Sequence, residues 1–386
     1  MARRVFLHVG PPKTGTSFLQ EAWWQNQSAL REHGLLYPGQ HWMAHFHAAA
    51  LVCENTTQLR RMQPRNRDAW NRLTDEISAF DGDALLSSER FAAAYADQAD
   101  RALRRLEEVA AEVHVIVTAR DLGRQLPSNW QQHVRSGGDK TLDQWWRAIA
   151  SDEDARYWRS QDFAGLLERW SQGLPEDRAH LVVHAPPGSP KHLLWDRVCS
   201  VLGIDPTGIH PLTRMNASLG ATHVELLRRV NAALPPGRNA SAVGSFTKTF
   251  FAGQMIIPAM PSPPFVLPPD AHAWAVERAT TMVSELRKHR YDVVGDLDDL
   301  IPDARAPEGI TPQEISDADL LQLAVPVLAR TLLQQKKSRD EIRPLRRAQR
   351  MRSQGRHAQG DDPQDRSRLG KVVTRARRLR ASIANR

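Results

Sequence analysis

Short runs of β-branched and apolar residues recur along the chain, separated by longer stretches in which apolar positions return every three or four residues. The short runs are VFLHV at 5–9, LLY at 35–37, ALLSS at 84–88, VHVIVT at 113–118 and HLVVH at 180–184. Each is mostly apolar with no strict alternation, as suits a strand buried on both faces. Between them, residues 14–33 carry Phe18, Leu19, Ala22 and Trp23 at helical spacing, and 97–111 place Ala99, Leu103, Leu106 and Val109 on one stripe. Similar patterns predict helices over 65–80, 123–135, 141–150, 161–173, 190–202, 217–234 and 270–290. The alternation predicts an α/β fold of three layers, a central mostly parallel sheet flanked by helices. Proline-rich segments at 258–269 and 302–312 interrupt it. The expected division is an α/β domain over 1–302, a linker and helix over 303–335, and a tail over 336–386.

Charge sharpens the division. Of 52 Lys+Arg and 44 Asp+Glu in the 386 residues, 17 and 5 fall in 336–386, a net of +12, which leaves 35 against 39, a net of −4, in 1–335. The basicity therefore belongs to the tail, whose low hydrophobicity predicts a disordered or partly helical segment, and nucleic acid is not an expected partner of the body. Within the tail, Val372, Val373, Ala376 and Leu379 share one helical stripe among arginines, a pattern suited to an anionic membrane surface. Two cysteines, Cys53 and Cys199, do not make a disulfide scaffold. No window holds about 18 uncharged apolar residues, the least that spans a bilayer. The expected location is the cytoplasm, with a peripheral position at the inner face of the membrane if the tail binds lipid.

The stretch of densest chemistry is VFLHVGPPKTGTSFLQ at 5–20, a strand, a turn and the start of a helix. Such a turn directs successive backbone N–H groups and a helix N-terminus at one point, and Lys13 adds a full charge, which together suit an anion. Gly15 permits close approach of the backbone, and Thr16 and Ser17 offer hydroxyls. A nucleotide-hydrolysing P-loop places its lysine after the second glycine. Here Lys13 precedes Gly15, and that motif is absent. Only five of the 35 basic residues in 1–335 are lysines, so a lysine at this turn marks a place for a compact charge.

PKTGTSFLQ resembles the 5′-phosphosulfate-binding loop of sulfotransferases that use 3′-phosphoadenosine 5′-phosphosulfate (PAPS). The resemblance implies a P-loop-NTPase-like sulfotransferase fold, Lys13 as the catalytic lysine at the bridging oxygen, and Thr14, Gly15, Thr16 and Ser17 around the 5′-phosphate. A second stretch, VHVIVTARDLGRQLPSNWQQ, ends a strand at Arg120 and brings Ser128 eight residues later. An arginine at the carboxyl end of a parallel strand stands at the ligand edge of the sheet. This pair is similar to the family's 3′-phosphate element, which assigns Arg120 and Ser128 to that group.

The acceptor hydroxyl needs a base. Glu89, directly after the strand ALLSS, is the first candidate, at a place similar to that of a catalytic histidine in many sulfotransferases. The runner-up lies among His41, His45 and His47. These histidines have no evident fourth ligand, so no metal is expected. The expected activity is transfer of a sulfonate group from PAPS to a hydroxyl of a carbohydrate, glycolipid or other small-molecule acceptor. The alternatives are a P-loop-like nucleotide-binding protein or kinase, and a non-catalytic membrane-associated protein.

Overall fold

The computed structural model describes residues 1–151, 156–190, 192–207, 209, 219–235 and 247–355. The stripe at 372–379 lies outside them. Among the described residues six strands form one sheet: β1 (Ala2–Gly10), β2 (Leu35–Leu36), β3 (Asp83–Ser87), β4 (Ala110–Ala119), β5 (Ala179–Val183) and β6 (Asp292–Val294). Their order is β2-β3-β1-β4-β5-β6, and every pairing is parallel. The chain fills one side of β1 with β2 and β3, then crosses to the other side with β4, β5 and β6. That reversal leaves a crevice above the carboxyl ends of the central strands, where open parallel sheets bind ligands.

The helices that matter to the site and its surroundings are α1 (Thr16–Gln25), α2 (Ala44–Val52), α3 (Ala69–Ser78), α4 (Ala96–Glu107), α5 (Leu122–Arg135), α6 (Phe163–Ser171), α7 (Leu193–Leu202), α8 (Ala221–Ala233), α9 (Pro269–Leu286) and α10 (Asp317–Gly355). The strand period of two sorts side chains between two helical layers. Val5, Leu7 and Val9 of β1, Ala84 and Leu86 of β3, and Val113, Val115 and Val117 of β4 pack toward the layer holding α4, α5, α6 and α9. Phe6, Leu85, Ile116 and Val182 face the smaller layer of α1 and α7, with Trp23 and Trp195 buried there.

The five strands anticipated from the apolar runs are present. The sixth, β6, is a three-residue edge strand without a fully buried position. The helical pattern at 14–33 divides at Asn26 into α1 and a short helix over Gln27–Glu32. A π-helical segment, Thr247–Ile256, runs into the proline-rich stretch, which leaves no room for a regular α-helix there. Packing continues past residue 302: Ile315, Leu320, Leu323 and Val327 are buried. Helix α10 crosses the expected boundary at 335 without a break and so includes the first part of the basic segment.

Candidate active site

The turn after β1 is built from backbone conformations that glycine supplies. Gly10 has φ +92°, and a Cβ there would stand 2.9 Å from the Cα of Glu89. The exits of β1 and β3 are therefore in contact, which brings Glu89 to the base of the turn. Gly15, at φ +91°, is the residue before α1, and no side chain caps the helix. Of its first-turn amides, that of Phe18 donates back to the Gly15 carbonyl at 3.0 Å, while those of Thr16 and Ser17 stand ahead of the helical ladder at the crevice end of the helix. Lys13 takes a left-handed conformation, φ 74°, and its Nζ donates to Gln132 Oε1 on α5 at 3.0 Å. That contact holds the ammonium between the turn and α5.

A cavity of about 600 Å³ opens over this turn. Lys13, Gly15, Thr16, Ser17 and Phe18 line it from one side, Arg120 and Arg124 from β4 and α5, and His184 with the 185–190 turn from β5. Four of the expected donor-site residues, Lys13, Gly15, Thr16 and Ser17, thus meet Arg120 at one cavity. The carboxylate of the neighbouring Asp121 accepts from Nε of Arg124 and from the Arg124 backbone N–H, capping α5. The Nε of Arg120 is buried with no hydrogen-bond partner among the described residues. Burial, followed by the charge of Arg124, holds the Arg120 pKa below the usual arginine range. A guanidinium still keeps its proton in such a setting, so the cavity wall carries a desolvated positive charge.

Ser128 stands elsewhere. Its hydroxyl donates to the Arg124 carbonyl at 3.1 Å, and it lines a neighbouring cavity of about 240 Å³ with Arg120, Arg124, Gln131 and the 264–267 segment. Arg120 and Arg124 form the wall common to both cavities. Helix α5 runs through Pro127 without ending.

Thr14 points inward. It is fully buried, its hydroxyl donates to the Pro11 carbonyl at 2.6 Å, and it lies 2.7 Å from the hydroxyl of Thr118. The chain continues from Thr118 Oγ1 to His8 Nε2 at 3.3 Å, from His8 Nδ1 to Ser87 Oγ at 2.8 Å, and from Ser87 Oγ to Gln20 Nε2 at 3.3 Å. Gln20 Nε2 also donates to Glu89 Oε2 at 3.2 Å. Because Thr14 spends its only proton on a carbonyl, Thr118 must donate to Thr14 and His8 Nε2–H to Thr118. Ser87 then donates to His8 Nδ1. Burial lowers the His8 pKa to about 3, which keeps the ring neutral as this arrangement requires. Any part Thr14 takes at the cavity falls to its backbone.

Among the histidines, His45 is fully committed. Its Nε2–H donates to the Pro38 carbonyl at 2.7 Å, and its Nδ1 accepts from the Ser87 backbone N–H at 3.0 Å. Burial lowers its pKa to about 4. With both nitrogens engaged, it holds the β2 exit against β3 and has no lone pair for an acceptor. His41 and His47 stand 5.7 Å apart, ring to ring, in a separate cavity of about 590 Å³ with Arg65, Asn66 and Arg72. Burial, then the charges of His41 and Arg72, lowers the His47 pKa. Glu89 is half-buried, and its charge, second to burial, raises the pKa of Tyr37. Among the described residues no group of three or more His, Cys, Asp or Glu is placed to hold a metal ion. No helix among them is long and apolar enough to cross a membrane.

Arg124, His184 and Gln132 were not among the residues anticipated from sequence. His184 ends the strand HLVVH at the same sheet edge as Arg120, and that position was the available signal. Its ring reaches within 3.8 Å of where a Gly15 Cβ would stand, and burial lowers its pKa.

No protein-family model matches the chain. No curated protein matches it by sequence. Among solved structures, a sulfotransferase from Alicyclobacillus acidocaldarius aligns with 17% identity over 60% of this chain and 94% of its own, at a TM-score of 0.35.

Proposed function

We propose that this protein is a PAPS-dependent sulfotransferase. The observation that carries the reading is the meeting of Lys13, the Gly15–Ser17 turn and Arg120 in one cavity at the carboxyl edge of a parallel sheet. A nucleotide with two phosphate-bearing ends needs two separated cationic points joined by an amide-lined turn, and a volume in the range of small-molecule sites. Lys13 with the turn supplies one point and Arg120 the other. In the proposed reaction an acceptor hydroxyl oxygen attacks sulfur in line as the bond from sulfur to the 5′-phosphate oxygen breaks. The leaving group is adenosine 3′,5′-bisphosphate. The ammonium of Lys13 stabilises the charge that grows on the departing phosphate oxygen, and Arg120 holds the 3′-phosphate. Glu89 takes the acceptor proton, with Gln20 fixing one carboxylate oxygen so that the other remains to act as base.

Calorimetric titration with adenosine 3′,5′-bisphosphate, beside ATP, tests the reading. Saturable binding of the bisphosphate that weakens in Arg120→Gln is the expected result. Absence of bisphosphate binding, or equal binding of ATP, would overturn it.

A further inference from the structure

Helix α10 is apolar on two sides. Its inner side packs on the body through Leu320, Leu323 and Val327. On its outer side Leu321, Val325, Leu328, Leu332 and Leu333 are exposed by 64%, 59%, 62%, 71% and 69%. Scattered exposed leucines need no explanation, but five on three consecutive turns do. Leu321, Val325, Leu328 and Leu332 follow a spacing of four, three and four residues. At 100° per residue, Lys336, Arg339 and Arg343 continue that stripe, and the seven positions fall within an arc of about 80°. Lys336, Lys337, Arg339 and Arg343 are all exposed. The nearby acids Asp340 and Glu341 fall outside the arc.

We infer that this face of α10 is a docking surface for an anionic lipid bilayer, on which the helix lies in the plane of the membrane. A single surface must accept leucines and then cations from one side of one helix. A bilayer does both: acyl chains take the apolar turns, while the anionic headgroups take the lysines and arginines. Charge complementarity supports the same occupant, because the segment 336–386 carries a net of +12 against −4 for the rest of the chain. From Leu321 to Arg343 the helix spans about 33 Å, and its apolar turns are too few to cross a bilayer. A second copy of the chain is the rival occupant. Parallel pairing along this stripe would set the two rows of cations side by side, and one narrow stripe is small beside the roughly 800 Å² per partner of a stable interface.

The test is vesicle flotation of the full chain, with vesicles of phosphatidylcholine alone or mixed with phosphatidylglycerol. It is run beside two variants, Leu321→Gln/Leu328→Gln/Leu332→Gln and Lys336→Gln/Arg339→Gln/Arg343→Gln. The wild type is expected to bind mixed vesicles at least about tenfold more tightly than neutral ones. The leucine variant should lose at least about tenfold on mixed vesicles although its tail charge is intact. The cation variant should lose a similar factor and respond less to salt. Thermal midpoints, unchanged because every altered side chain is exposed, exclude misfolding as the cause. Wild-type binding by the leucine variant would assign attachment to the tail charge alone and overturn the proposal. So would absence of binding to mixed vesicles, or a dimer in light scattering that the leucine changes dissolve.

Discussion

The turn after β1 can be tested at the residue that shapes it. In Gly15→Ala the new Cβ would lie 2.4 Å from Cδ2 of Leu194 on α7, with the backbone held at φ +91°. Two costs follow. An L-residue in this left-handed region costs about 1–2 kcal/mol, and overfilling a packed site costs roughly 1–3 kcal/mol more. The sum, about 2–5 kcal/mol, is a large part of the 5–15 kcal/mol by which domains are ordinarily stable. A double-mutant cycle separates the two. Leu194→Ala alone should cost about 2–5 kcal/mol, since the side chain is 5% exposed. Combined with Gly15→Ala it should cost less than the sum, because the overlap disappears while the backbone strain stays. Urea unfolding of the four proteins measures the coupling. Additivity within about 0.5 kcal/mol would refute the packing of the turn on Leu194. Bisphosphate titration of the same proteins reads the functional side: both Gly15→Ala proteins should bind at least about tenfold more weakly, because displaced amides lose their common target. Unchanged affinity would remove the turn from the binding site.

Arg120→Gln should weaken bisphosphate binding by roughly 10- to 100-fold, the worth of a charge-assisted hydrogen bond, while leaving thermal stability unchanged or raised. The second half follows from the pairing of Asp121 with Arg124, which leaves Arg120 no ion-paired carboxylate among the described residues and only the more distant charge of Asp121 to offset its burial; calorimetry and a melting curve check the two parts. Glu89→Gln should keep bisphosphate affinity and lose about 10²-fold or more in turnover, and near-normal turnover with tight binding would remove Glu89 from the role of base. His8 and His45 have pKa values lowered from 6.5 to about 3 and about 4. Below pH 6.5 the unfolded chain binds protons that these folded rings refuse, so their contribution to stability is present above that pH and falls as pH drops. Each should contribute about 1.4 kcal/mol per pH unit once pH is well below 6.5, and urea midpoints measured between pH 7 and 5 that do not decline would contradict their neutral burial.

What the sequence made legible was local. Each of the five anticipated strands carries its own apolar run, and β6 went unseen because Asp292, Val293 and Val294 form an edge with little burial. Helix α2, AHFHAAALV, lacks a polar face, so no helical period marked it. In the site, Lys13 and Arg120 were legible because each closes a strand, and residues that close parallel strands share one edge whatever the strand order. Glu89 was placed by the same rule. The half-buried position of Ser128 in a second cavity and the inward turn of Thr14 depend on side-chain packing that no spacing encodes. The roles of Arg124 and His184 depend on how Asp121 chooses between two arginines and how the turn after β5 folds over the loop.

The sheet order explains the one polar residue inside the VFLHV run. His8 lies on β1 between Ser87 of β3, its register partner, and Thr118 of β4. Only with β3 and β4 on either side of β1 does an imidazole at that position find a donor on one side and an acceptor on the other. An apolar residue there would leave the Ser87 and Thr118 hydroxyls buried without these partners, at a cost of about 1–3 kcal/mol for each group left unsatisfied. The network also has a direction. Every proton from Gln20 to Pro11 is assigned, so neither hydroxyl can turn without breaking two bonds. Its ends are Glu89, proposed to take the acceptor proton, and the Pro11–Thr14 segment, which carries Lys13 and leads into the Gly15–Ser17 turn proposed to hold the donor phosphate. A neutral, fully buried histidine therefore holds the two halves of the site at a fixed spacing. That spacing is what an in-line transfer between two bound molecules requires of its protein.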